Sequence, residues 1–185
     1  FTIDNVTKRY IPAIDTTLAF TYNAALNLNK YGAFIQSSKT LLNNRLVLSA
    51  GMRADGNGFN EEMQNPLNQL SPRVSARFSF APQWSFNFNS GIYYQAPSYT
   101  SLGYAENGIL ANTGMKYIRN SQLVAGVEYD WNKRNTIITV EGFYKYYENY
   151  PVSLNNGISL ANLGADFGVV GNELLSSTGN GRSSG

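Results

Sequence analysis

Neither cysteine nor histidine occurs in the 185 residues. Without cysteine there are no disulfides and no thiolate metal sites, and the redox compartment stays open. Without histidine, imidazole-dependent nucleophilic triads and histidine metal centres cannot be assembled from these residues. Charge is scarce as well, 14% of residues against roughly 25% in an ordinary soluble domain. The net charge of +2 is scattered, with no basic block or basic helix, which sets a nucleic-acid partner aside. No run approaches the roughly 18 apolar residues of a membrane-crossing helix, and mean hydropathy is −0.28. Strands that cross a membrane escape that test, because alternating faces average out along the chain. The opening Phe1-Thr2-Ile3-Asp4 carries no leader pattern, and Gly181-Arg182-Ser183-Ser184-Gly185 reads as a turn leading onward. The expectation is a piece of a longer protein.

What is abundant is aromatic residues, 14%, and a two-residue period. In residues 45–55, Leu46, Leu48, Ala50, Met52 and Ala54 fall on one face, and Arg45, Ser49, Arg53 and Asp55 on the other. Residues 71–80 oppose Val74, Ala76, Phe78 and Phe80 to Ser71, Arg73, Ser75, Arg77 and Ser79. The same division predicts strands over 84–95, 122–131 and 136–148, a less clear one over 30–41, and a further one within 13–28. Tight turns are expected at Asn43-Asn44, Ala81-Pro82-Gln83 and Asn132 to Asn135. Between them lie long links near 56–70, 96–116 and 149–180, too long for a compact soluble domain. Short and long connections in alternation describe an up-and-down meander, all-β, of the outer-membrane barrel type. The parity of the tight turns agrees, since Phe80 with Trp84, Leu41 with Leu46, and Trp131 with Thr136 fall on common faces.

Aromatics mark both ends of the apolar face: Phe80, Trp84, Tyr129 and Trp131 at the tight turns, Tyr94, Tyr144 and Tyr146 at the far ends. Trp84 and Tyr94 are separated by a strand length that, at ~3.3 Å per residue and a tilt of ~40°, projects to about 25 Å, the height of a barrel's apolar belt. The core of a β-sandwich would alternate too, but gives no reason for aromatics to gather at strand ends a bilayer apart.

The polar face carries Arg53, Asp55, Arg73, Arg77, Glu128, Asp130, Glu141 and Lys145. A carboxylate pair from Glu128 and Glu141 for glycoside chemistry is conceivable, but mixed charge lining a barrel lumen is the simpler reading, and no enzyme is expected. Gly164 to Gly171 echoes a glycine-rich nucleotide loop without the strand and helix that such a loop needs. Asp55 to Asn60 lacks the closing carboxylate of a calcium loop, so no metal or other cofactor is assigned. In the long links, Tyr99, Tyr104, Tyr150, Asn155, Asn156 and Asn162 are candidates to stack on and hydrogen-bond a ligand, or else to stiffen the loops.

Particular strings add to the pattern: Leu48-Ser49-Ala50-Gly51-Met52-Arg53, Leu70-Ser71-Pro72-Arg73, Tyr94-Gln95-Ala96-Pro97-Ser98-Tyr99, Val140-Glu141-Gly142-Phe143-Tyr144-Lys145, and the run from Ile158 to Glu173. Over residues 30–185 the chain resembles the barrel region of TonB-dependent outer-membrane receptors. The resemblance implies a 22-stranded barrel filled by a plug domain. It also implies residence among outer-membrane lipids and import of a scarce or bulky nutrient with energy from the TonB complex. The ligand class stays open among iron chelates, cobalamin, oligosaccharides and peptides. Residues 1–185 are then one partial barrel domain, with the plug and remaining strands outside it, and Gly181-Arg182 starts a further strand. A passive porin-like channel and a soluble ligand-binding β-module are the alternatives.

Overall fold

The computed structural model describes residues 2–11, 16–163 and 171–185, with side chains from Leu26 onward except Lys133. Strands β1 (Thr2–Ile11) and β2 (Thr16–Ala25) pair antiparallel with each other, Thr2 opposite Ala25 and Ile11 opposite Thr16. Then follow β3 (Lys30–Leu41), β4 (Leu46–Asn57), β5 (Leu70–Ala81) and β6 (Trp84–Gln95). A two-rung ribbon, β7 (Ala105–Glu106) with β8 (Ile109–Leu110), interrupts the long link before β9 (Ile118–Trp131), β10 (Thr136–Ser153) and β11 (Leu175–Ser184). Seven strands form one antiparallel sheet in the order β11-β10-β9-β6-β5-β4-β3, so each long strand lies beside its neighbour in sequence. The sheet is open, with β3 and β11 at its edges: a stretch of barrel wall, all-β and meandering as the alternation predicts.

The tight turns fall where turn chemistry puts them. Leu42, Asn43 and Asn44 all have positive φ, a conformation that Asn tolerates and that exposed Leu42 adopts between β3 and β4. Asn135, also left-handed, ends the single 3-10 turn Asn132–Arg134 that joins β9 to β10. Prolines sit where they cost no ladder bond. Pro72 precedes the first rung of β5 with β6, at Arg73, and Pro151 lies beyond the last rung of β10 with β9, at Glu148.

Cross-strand partners share a face, and the register keeps the two faces apart across all seven strands. Leu46 faces Phe78, Phe78 faces Phe86, Phe86 faces Val127 and Val127 faces Val140 on the apolar side. Arg77, Asn87, Gly126 and Glu141 follow one another on the polar side. β3 mixes its faces, with Lys39 opposite Leu48 and Phe34 opposite Arg53, and β11 sets Arg182 opposite Tyr146 on the apolar side.

A single sheet with no second layer cannot bury its own face. Val74, Phe86, Leu123, Val127 and Val140 are accordingly exposed. The buried apolar side chains are Leu26, Met63, Leu102, Met115, Tyr117 and Leu175, gathered from the loops and loop-proximal strand ends.

Four details differ from the sequence expectation. The segment Thr2–Ile11 is a strand, although its polarity is too mixed to show a period, and the strand sought within 13–28 is Thr16–Ala25. The last long link spans only 154–174, because β10 runs on through Ser153 and β11 begins at Leu175. Gly181 and Arg182 therefore lie inside β11 rather than opening it. Finally, Ala81 rather than Phe80 is the register partner of Trp84, after an irregularity past Ser79, although the Phe80 and Trp84 rings still stack at 6.4 Å.

The wall depends on close approach at Gly126, in the middle of β9. A Cβ there would stand 2.6 Å from both the Val140 carbonyl oxygen and Glu141 Cγ. The backbone carbonyl cannot yield without breaking the ladder, so Gly126→Val is expected to destabilise the full-length barrel by about 1–3 kcal/mol. A urea titration followed by heat-modifiable gel mobility measures it; a wild-type midpoint would refute the packing argument.

Candidate functional site

Functional side chains divide between the polar face of the wall and a packed assembly of loops at its open end. On the wall, Arg53 holds Asp55 through two bonds, Nε to Oδ2 at 2.6 Å and Nη2 to Oδ1 at 2.7 Å. Arg77 reaches diagonally across β6 to Glu128, with weaker bonds to Ser85 and Asn87 at 3.4 Å. Arg73 lies over the Tyr93 ring at 4.4 Å, and Lys145 over Phe143 at 5.1 Å. Asp130 shares this face, opposite Ile137, and Glu141 is exposed beside Gly126. Glu128 and Glu141 stand two rungs apart, and Arg77 occupies the first of them, which leaves no shared carboxylate site. The Asp55 carboxylate is likewise engaged by Arg53, and Asn60 serves to cap a helix.

At the tight-turn end, Phe80, Trp84 and Tyr129 form a cluster, with Trp84 4.7 Å from Tyr129. Trp131 carries Arg134 over its ring at 4.9 Å. At the other end Tyr94, Tyr144 and Tyr146 lie on the apolar-face register. Level with Tyr94 and beyond Tyr146 on that register stands an ion pair that sequence reading did not single out, Arg119 with Glu148, directly opposite each other on β9 and β10.

The loops are built on asparagine. Asn60 caps the short helix α1 (Glu61–Gln64) through its side-chain oxygen, while its amide nitrogen bonds the Thr113 and Met115 carbonyls at 2.9 and 2.8 Å. Buried Asn57 donates to the Tyr117 hydroxyl at 2.9 Å and accepts from Phe59 N–H. Asn112 is buried and fully used, donating to the carbonyls of Ser101 and Glu173 and accepting from Leu175 N–H. It ties the helix α2 (Tyr99–Leu102), its own loop and the start of β11 together. Met63, Leu102, Met115 and Leu175 pack among these clamps. Burial pushes the Tyr117 phenol above its ordinary pKa, against the lowering effect of Asn57. Tyr104 is raised too, first by burial and then by its hydrogen bond to Glu106.

The six loop candidates do not form one site. Tyr99 lies in α2 beneath Lys30, whose ammonium is 4.6 Å from the ring. Tyr104 is joined to Glu106 at 3.0 Å. Asn155 turns to Ser153 and Glu173, and Asn156 accepts from Ile158 N–H, both in local turns. Tyr150, placed in a loop by sequence, is within β10 at a register irregularity opposite Gly179. It meets Asn162, from the 3-10 turn Leu160–Asn162, around a recess of about 640 Å³ that Tyr93, Gln95, Asn120 and Tyr147 also line. The register runs Tyr93, Asn120, Tyr147 across β6, β9 and β10 on the polar face, a row that only pairing reveals. The clamps were more legible: Asn60 before two acidic residues is a helix-start signal. The glycine-rich stretch 164–170 lies outside the described residues.

A TonB dependent receptor-like, beta-barrel family model matches residues 2–185. The chain belongs to this family. No curated protein matches it closely enough to count as a relative. The TonB-dependent receptor barrels are an outer-membrane transport family and not a family of enzymes, in accord with the wall, the open loop end and the mutually paired charges described above.

Replacing Asn112 by Ala strands three backbone groups, a loss of about 1–3 kcal/mol per unsatisfied group that falls on the loop assembly and the start of β11 and not on the rest of the sheet. Amide hydrogen exchange of the full-length receptor should quicken around 98–115 and 171–175, with the seven-stranded sheet unchanged beyond the start of β11. For Tyr117, a raised phenol pKa means the folded loops hold the proton more tightly than the unfolded chain. Their stability is therefore intact below the ordinary value of about 10 and falls as pH climbs through the raised one. Ultraviolet titration of wild type against Tyr117→Phe should show a late-ionising phenol missing from the variant.

Proposed function

We propose that this chain is part of the wall of an energised importer, its apolar face against outer-membrane lipid and its polar face lining the lumen around a plug domain. Remaining strands close the barrel, the TonB complex supplies the energy, and the long loops present the first binding surface to a scarce or bulky nutrient. The observation that carries this reading is the pair of faces on one unbacked sheet. Exposed Val140, Phe86 and Leu123 form an apolar band bounded by Trp84, Trp131, Tyr94 and Tyr144, while the opposite face carries Arg53 with Asp55 and Arg77 with Glu128. Apolar rows toward lipid and polar rows toward the lumen are what a spanning strand needs on its two sides. The loops support the recognition half of the reading, since they hold a core and clamps of their own at the end of the band, where Tyr94 packs against that core.

Two substitutions in the full-length receptor test the facing. Phe86→Arg, midway along β6, should cost about 2–4 kcal/mol in a folding titration into lipid, and Asn87→Arg far less. Equal costs would overturn the assignment of faces. Transport is tested by uptake in cells: accumulation that ceases when the proton gradient is collapsed or TonB is removed supports an energised importer, and accumulation indifferent to both supports a passive channel.

A further inference from the structure

We infer that the recess at the loop end of β6, β9 and β10 binds a neutral polyhydroxylated ligand, a sugar chain, through tyrosine faces and carboxamides. This deepens the transport reading and rests on it. The recess is about 640 Å³, within the roughly 300–1,000 Å³ usual for small-ligand sites. Its wall is the polar-face row Tyr93, Asn120 and Tyr147, with Gln95 one row nearer the loops, and Tyr150 and Asn162 complete it.

Charge decides the class of ligand. Among the described residues lining the recess Arg182 is the single charged one, and its register partner is Tyr146, which places it on the opposite face from Tyr147 and Gly181. Of the neighbouring cations on the polar face, Arg53 pairs with Asp55 and Arg77 with Glu128, while Arg73 lies over the Tyr93 ring and Lys145 over the Phe143 ring, and none of the four is among the lining residues. An anionic metal chelate or an acidic sugar would meet no charged side chain among the described polar-face residues of the lining, whereas charged ligands are normally met by paired, charge-assisted bonds.

A neutral sugar needs what is present. Its C–H faces are apolar and lie on aromatic rings, and its hydroxyls both donate and accept, as do carboxamides and phenols. Tyr93, Tyr147 and Tyr150 are each only partly covered. The Asn120 amide is held at one end by a long 3.4 Å bond to Gln122, and its Oδ1 is enclosed without a donor. A half-satisfied carboxamide gains by turning toward a ligand hydroxyl.

The experiment uses the full-length receptor in detergent. The probes are neutral gluco-, manno-, galacto- and xylo-oligosaccharides, uronic-acid oligosaccharides, and ferric hydroxamate and catecholate chelates. Binding of a neutral oligosaccharide is expected, weakened about tenfold by Tyr147→Ala and by Asn120→Asp and much less by Tyr147→Phe, which keeps the ring. Heat-modifiable mobility confirms that each variant is folded. The assignment falls if no neutral oligosaccharide binds, if a chelate or acidic sugar is the tight ligand, or if the folded Tyr147→Ala and Asn120→Asp variants bind as wild type. Energised uptake of a chelate would remove the sugar assignment and leave the transport reading standing. Uptake that does not need energy would remove the transport reading itself.

Discussion

Everything in this chain follows from the backbone hydrogen-bond ladder of a sheet that has no second layer behind it. In hydrocarbon an unpaired N–H or C=O costs several kcal/mol, so a spanning strand must satisfy its polar groups through its neighbours. Pairing fixes register, and register with a period of two fixes which side chain looks which way. Because neither face can be buried by the chain itself, apolar and polar residues are free to specialise by face. The result is a wall whose apolar side is exposed and whose polar side carries paired charges. The two prolines within the seven-stranded sheet obey the same constraint, since each stands where one side of its strand has no partner to donate to.

Two ion pairs on the polar face cancel locally. Arg53 grips a carboxylate two residues along its own strand, and Arg77 reaches over β6 to find Glu128. Such pairs are partly exposed and contribute little stability on their own. Their consequence is electrostatic: the two pairs neutralise four charges of the polar face, while Arg73 and Lys145 lie over aromatic rings and Glu141 stays exposed. At the loop end, neutral hydrogen-bonding and aromatic groups come together around the recess.

Five strands of the main sheet, β4, β5, β6, β9 and β10, were legible in the sequence because their signal is local, whereas β3 was faint and the first half of β11 was read as part of the last long link. Alternation within residues 71–80 or 84–95 needs no knowledge of the neighbour, and turn parity tied one strand to the next. Where both faces are polar or mixed the signal disappears, and Thr2–Ile11 was missed for that reason. The loop site was harder. Tyr93, Asn120 and Tyr147 are 27 and 27 residues apart in sequence yet adjacent in one row, an adjacency created by register alone. Tyr99 and Tyr104, conspicuous in sequence, prove to have local partners, Lys30 and Glu106. Asparagine was the most ambiguous residue: its side chain suits a ligand hydroxyl and a loop carbonyl equally well. Asn57, Asn60 and Asn112 serve the loops, and only burial and partners distinguish them from Asn120 and Asn162.

The separation of wall from loops has a further physical reason. Most loops ride on a domain core, but this sheet has none to lend, so loops of this length need an interior of their own. Met63 and Met115 supply unbranched, adaptable side chains for it, suited to filling an irregular space between segments of different origin. Leu175, the first residue of β11, is the member that joins this interior to the wall, and Asn112 holds its N–H. A change of loop sequence that keeps this small core can therefore alter the recess without disturbing a single rung of the ladder. A change at Leu175 or Asn112 cannot, because it loosens the loops and the start of a strand together.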